Sequence, residues 1–201
     1  EHLQTSIDSD AYNVPTRNVD SGYIGYEGKF GPHQLQLNLR RDRYSDFGGA
    51  NSYYAGYGFA FNPQWKAVAS VSNAFRAPTF NDLYYPLFGN PKLSPERALT
   101  SELGVKQQTP WGRWSVSTYR SSVDDLVAFD TVTYLPKNIA RAKLTGADGQ
   151  LEWRAGAWRW QQSLSWLEAI DRSVGAIRAR ELPRRPRWSG RSTLGWANTD
   201  F

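Results

Sequence analysis

The sequence predicts an all-β fold, an antiparallel up-and-down meander that forms part of a transmembrane β-barrel. Three observations predict it. Apolar and polar residues alternate with period two, as in Leu35-Gln36-Leu37-Asn38-Leu39. That spacing puts the leucines on one face of a strand and would scatter them around a helix. Connections alternate between tight and long. Trp and Tyr, 9 and 11 in number, gather at strand ends, mostly beside the tight connections, where a barrel carries an aromatic girdle.

Taken in order, Leu3 to Tyr12 is an alternating polar stretch read as a strand or strand end, and Asn13 to Asp20, with Pro15, as a connection. Ser21 to Phe30 sets Ile24, Tyr26 and Phe30 against Tyr23, Glu27 and Lys29, and Gly31-Pro32 turns the chain. The leucine strand follows. Arg41 to Ser52, polar and rich in glycine, reads as a loop. Tyr53, Ala55, Tyr57, Phe59 and Phe61 then share a face, and Asn62-Pro63 turns. Trp65, Ala67, Ala69 and Val71 oppose Lys66, Ser70 and Ser72. From Arg76 to Arg97 the chain holds Pro78, Pro86, Pro91 and Pro95, which lack a backbone donor and restrict the preceding residue, so it reads as a stiffened loop without helix or central strand. Such a loop is uncommon unless it is functional.

Leu103 and Val105 oppose Glu102, Gly104 and Lys106, and Pro110-Trp111-Gly112 turns. Trp114, Val116 and Thr118 alternate with Arg113, Ser115, Ser117 and Tyr119. Asp124 to Ala140 reads as a loop. Ala147, Gly149, Leu151 and Trp153 alternate with Asp148, Gln150 and Glu152, and 155–157 turns. Trp158, Trp160, Gln162, Leu164 and Trp166 share a face. Glu168 to Arg187 is a long basic connection before a last strand with Trp188, Leu194 and Trp196. The count is ten or eleven strands of spanning length, ~9–11 residues each. In a meander every second connection lies at the same end, so the tight turns fall at one end and the long loops, near 41–52, 76–97, 124–140 and 168–187, at the other. Leu35, Leu37, Leu39, Phe59, Phe61, Leu103, Val105, Val116 and Leu151 are expected to face lipid. Gln36, Asn38, Lys66, Ser70, Lys106, Ser117 and Gln150 are expected to face the lumen.

No window approaches the ~18 apolar residues of a spanning helix. The mean hydropathy of −0.62 fits a barrel, whose strands alternate lipid-facing and lumen-facing residues. Without Cys, neither a disulfide framework nor a thiolate metal site can form. The chain lacks Met even at position 1, as a mature product or fragment would. The net charge of +5 sits largely between Arg172 and Arg191, and admits nucleic acid, anionic lipid or an acidic ligand.

The motifs "FRAPTFNDLY", "GNPKLSPE" and "SELGVK", then "YRSSVDDLV", "NIARAKLTGADGQLEW" and "LPRRPRW", in that order, resemble the late barrel region of TonB-dependent outer-membrane receptors, above all the vitamin B12 (cobalamin) transporter subfamily. The resemblance implies a Gram-negative outer-membrane location and active transport of cobalamin or, alternatively, a ferric siderophore. It further implies contact with lipid and lipopolysaccharide, and engagement of TonB through a plug domain. These transporters close with 22 strands. Residues 1–201 would then be one partial barrel with roughly half the strands, the plug and closing strand lying outside it. No cofactor and no enzymatic activity are implied.

No catalytic constellation stands out, and His2 and His33 have no partner spacing. Asp8-Ser9-Asp10 and Asp124-Asp125 offer the oxygen ligands Ca²⁺ prefers but match no calcium motif; Asp124 and Asp125 read as carboxylates pairing with arginines. Arg178, Arg180, Arg184, Arg185 and Arg187 would suit an anionic ligand, lipopolysaccharide phosphates, or a solvated loop. Nucleic acid is the poorest fit, since no nucleic-acid-binding motif accompanies them. Tyr84, Tyr85, Phe88 and Tyr134 would either stack on a flat macrocycle or pack their own loops. The rival reading of the residues is a soluble β-barrel binding glycan or single-stranded nucleic acid on its aromatic face.

Overall fold

The computed structural model describes residues 1–5, 16–45, 48–130, 133–172, 180–182 and 185–197, with the backbone alone at 139, 140 and 180. Eleven strands form one antiparallel sheet. They are β1 (His2–Thr5), β2 (Arg17–Phe30), β3 (His33–Tyr44), β4 (Gly48–Ala60), β5 (Trp65–Arg76), β6 (Glu96–Thr109), β7 (Gly112–Asp130), β8 (Leu135–Ala155), β9 (Trp158–Asp171), β10 (Arg180–Glu181) and β11 (Trp188–Trp196). Each pairs with the next in sequence up to β9, which takes both β10 and β11 on its far side.

Ladder register fixes the faces. Leu35, Leu37 and Leu39 stand opposite Tyr57, Ala55 and Tyr53, and Leu103 and Val105 opposite Thr118 and Val116. Along this face Leu39 and Leu103 are about three-fifths exposed, which lipid rather than protein must cover. The other face, with Lys66, Lys106, Ser115 and Gln150, bounds a hollow of about 870 Å³. Lys29 of β2 and Arg191 of β11 line the same hollow. Residues from nearly opposite ends of the strand order meet there only because the sheet curls towards its polar side. That side is the lumen, and the apolar set faces outward as the alternation requires. At the tight-turn end the Trp65 and Trp114 rings meet edge to face, centroids 5.4 Å apart, and Trp114 Nε1 donates to Gln107 Oε1 at 2.6 Å.

Several boundaries differ from expectation. Arg41–Ser52 is mostly strand, β3 running to Tyr44 and β4 starting at Gly48. Asp124–Ala140 is likewise a protruding hairpin, β7 reaching Asp130 and β8 resuming at Leu135. At 19 and 21 residues these strands far exceed the ~9–11 that span a bilayer. Outside lipid neither face needs to be apolar, so the alternation that marks a strand disappears while the backbone ladder continues. β2 begins at Arg17, inside the expected connection, and β9 continues to Asp171. Of the expected first strand, His2–Thr5 is strand, and 6–12 lie outside the described residues. The proline-rich loop is not helix-free. It holds α1 (Phe80–Tyr84), five residues between Pro78 and Pro86. Thr79 is its N-cap: Asp82 N donates to Thr79 Oγ1 at 3.1 Å, and Thr79 N donates to Asp82 Oδ2 at 2.9 Å. This reciprocal capping box satisfies two otherwise orphan donors, and Tyr85, preceding a proline, turns to extended geometry and ends the helix.

Candidate functional site at the loop end

Besides the link from β1 to β2, four connections, at 45–47, 77–95, 131–134 and 172–187 (which holds β10), lie at one end of the meander, and the tight turns lie at the other. Two of these four are short in themselves, so the asymmetry comes from strand overhang as much as from loop length.

The segment 77–95 is held from both sides. Arg17 of β2 donates from Nη1 to the Pro78 carbonyl at 3.1 Å, and its guanidinium lies 4.8 Å from the Phe80 ring centroid, a cation–π contact. On the far side Asn90 Nδ2 donates to the Pro136 carbonyl at 3.0 Å. Asn138 accepts from Ser94 N at 2.8 Å and donates back to the Ser94 carbonyl at 2.9 Å, as a strand residue would, and also donates to the Asp125 carbonyl. Asp125 takes a left-handed φ of 57°. Beneath the loop the Glu96 carboxylate, nearly buried, accepts from Arg76 Nη1 (3.1 Å) and Val127 N (2.8 Å). That joins the ends of β5, β6 and β7. Phe80, Leu83, Leu93 and Leu126 are buried here.

On this platform Tyr84 is half-buried and stacks on Phe80. Tyr85 and Phe88 are exposed, with ring centroids 6.3 Å apart. Between them Leu87 has a φ of 67° and is 91% exposed. Tyr134, exposed and also at positive φ, meets the Phe129 ring edge on at 6.4 Å. Aromatics thus stand as two exposed pairs on neighbouring elements. Leu87 and Phe129 escaped the sequence reading, Leu87 because one leucine in a loop carries no pattern, and Phe129 because its strand was read as loop. Of the arginines, Arg178 and Arg184 lie outside the described residues, Arg180 enters only as backbone of β10, and Arg185 is exposed. Arg187 pairs with Glu181. Leu182 N and Leu167 N donate to the carbonyls of Ala169 and Arg187, so this stretch folds back along β9.

At the tight-turn end, Glu152 was not singled out by its sequence context. Its carboxylate is almost buried and takes Arg113 (2.7 Å), Arg159 (3.1 Å) and Arg154. A lone buried carboxylate would be costly, and three guanidiniums offset that.

A family model described as "TonB dependent receptor-like, beta-barrel" matches residues 3–201. The chain belongs to that outer-membrane β-barrel family. It is 33% identical over 153 residues to a vitamin B12 transporter, BtuB, of Vibrio vulnificus, covering 73% of this chain and 25% of that one. To the BtuB of Photobacterium profundum it is 26% identical over 185 residues, or 89% and 30%. This chain therefore spans only a quarter to a third of those relatives' length. Among solved structures it resembles the siderophore receptor PirA of Pseudomonas aeruginosa (TM-score 0.74, 20% identity, 92% of this chain and 36% of that one). It also resembles the copper transporter OprC (TM-score 0.77, 18% identity, 92% and 32%). At these identities the structural likeness speaks for the fold.

Proposed function

We propose that residues 1–201 form part of the wall and extracellular mouth of a TonB-dependent transporter that takes up cobalamin. The observation carrying this reading is the 33% identity to a vitamin B12 transporter over 73% of the chain. The site chemistry supports it: Tyr85, Leu87 and Phe88 beside Phe129 and Tyr134 give apolar area to a large macrocycle, and the arginines beyond β9 give donors to its amide and phosphate groups. A small anion would have no use for the aromatics. Ligand is captured by these loops and by the top of a plug domain encoded outside this chain. TonB, acting from the periplasm, then rearranges the plug, and the ligand passes the lumen. A ferric siderophore is the second reading, since the same barrel fold also serves siderophore receptors such as PirA.

The test is binding of radiolabelled cobalamin to whole cells carrying the full-length receptor, with a ferric siderophore as competitor. Cobalamin binding that the siderophore does not displace is expected. Siderophore binding in place of cobalamin moves the protein to the second reading.

A further inference from the structure

The polar hollow at the tight-turn end is lined by more cations than its own carboxylates neutralise. One ladder row crosses its wall from β5 to β11: Lys66, Lys106, Ser115, Gln150, Ser163 and Arg191. Lys29 of β2 stands opposite Gln34, which accepts from Lys66 Nζ, so a fourth cation adjoins the row. Lys29, Lys66, Lys106 and Arg191 all line the one hollow. Lys66 and Lys106 are direct ladder partners, a placement in which like charges repel. One row nearer the turns, Glu152 is already shared among Arg113, Arg154 and Arg159. Among the described residues, no carboxylate lies within ion-pair distance of Lys29, Lys66, Lys106 or Arg191. Lys29, Lys106 and Arg191 are exposed and Lys66 is half-buried.

Farther along the lumen the sign of the charge changes. Period two carries the luminal face from Lys106 through Gly104 to Glu102, and from Gln150 to Asp148. Glu102 stands about 13 Å along the strand from Lys106, at ~3.3 Å per residue. The short turns of an outer-membrane barrel lie on its periplasmic side, so the cations ring the exit of the lumen and the carboxylates stand above them. An anion that has passed the carboxylates meets attraction ahead and repulsion behind.

We propose that Lys66, Lys106 and Arg191, with Lys29, form a transit site for a phosphate or similar oxyanion carried by the transported molecule at the periplasmic exit of the lumen. The site rests on the transport reading above, in which the oxyanion is the phosphodiester of cobalamin. Ammonium and guanidinium groups donate charge-assisted hydrogen bonds to its oxygens, and Gln150 and Ser163 extend the polar wall between the lysines and Arg191.

The test uses whole cells carrying the full-length receptor, with surface binding measured in de-energised cells and uptake in energised ones. K66Q/K106Q is expected to bind radiolabelled cobalamin as the parent does and to take it up about tenfold more slowly, the low end of what a charged cleft adds to such rates. The same corrinoid without its nucleotide arm, and so without the phosphate, is expected to enter parent and variant at equal rates. K66R/K106R is expected to match the parent with both. Equal slowing of both corrinoids overturns the site and makes the lysines supports of the barrel or its plug. Unchanged cobalamin uptake by K66Q/K106Q also overturns it. If that variant does not assemble in the membrane, R191Q is put through the same comparison and decides the matter. A parent that binds a ferric siderophore and no corrinoid ends the cobalamin reading alone. An anionic and a neutral ferric siderophore then replace the two corrinoids, and the same outcomes decide the site.

Discussion

The two ends of this sheet solve the burial problem in different ways. Towards the tight turns the protein has almost no interior: Leu37, Leu103, Val116, Leu164 and Leu194 are each more than two-fifths exposed, and lipid is their core. Among the described residues, the buried charged side chain there is Glu152, beneath its arginines. At the loop end the buried residues gather: Val19, Ala50, Phe80, Leu83, Leu93, Leu126 and Glu96. Strands leaving the bilayer lose the solvent that covered their apolar face, so structure beyond it must supply its own core and its own hydrogen bonds. The comparison teaches that a barrel wall is stabilised by its membrane over one part of its height and by ordinary globular packing over another.

Mutations can break or sharpen that contrast. The largest effect is expected for Leu37→Arg, in the middle of β3 beyond the Gly31-Pro32 turn. In the full-length barrel, urea unfolding from lipid vesicles should show a loss of ~2–4 kcal/mol, and an unchanged midpoint would mean that position is not in lipid. Next comes Glu96→Ala, which leaves the Val127 N–H without its acceptor and Arg76 with only the longer contact to Asp82 at 4.0 Å. A cost of ~1–3 kcal/mol is expected, confined to the loop end. Hydrogen exchange should speed up across 77–95 and 124–138 while the spanning strands keep their protection. Thr79→Ala removes the cap of α1 and should cost ~1 kcal/mol, read as faster proteolysis within 77–95. Tyr85→Ala with Phe88→Ala should leave unfolding almost unchanged, since both rings are exposed. If the proposed capture site is correct, it weakens cobalamin binding by about tenfold, or ~1.4 kcal/mol; unchanged binding removes these two rings from the site.

The same division explains what the sequence made readable. In lipid the alternation is a physical necessity, so the facing of Leu35, Leu103, Val116 and Lys106 could be read from period two alone. Beyond lipid that constraint lapses: Arg41–Tyr44 looks like loop because its faces are polar, and Asp124–Asp130 because Leu126 to Phe129 run together without alternation, although the ladder runs on. The helix at Phe80 hid behind four prolines. Its signal was the pair Thr79 and Asp82 at capping-box spacing, a cue of two residues outweighed by a composition that argued against helix. Loop aromatics could be located but not paired, because the Tyr85–Phe88 and Phe129–Tyr134 contacts depend on positive φ at Leu87 and Tyr134 that nothing in those residue types requires. Glu152 and its arginines come together from β7, β8 and β9, and spacing along one strand says nothing of a neighbour's register.

The attachments of segment 77–95 to β2 and β8 fall at its two ends: Pro78 on one side, Asn90 and Ser94 on the other. Between them Tyr85, Leu87 and Phe88 are exposed, while Tyr84 packs half-buried on Phe80. Position 89 is constrained, because a Cβ on Gly89 would come within 2.7 Å of the Leu83 carbonyl oxygen. The segment is therefore built as a frame around an exchangeable window. Under the proposed function, substitutions at the exposed positions 85, 87 and 88 are expected to alter ligand capture while the attachments to β2 and β8 stay in place.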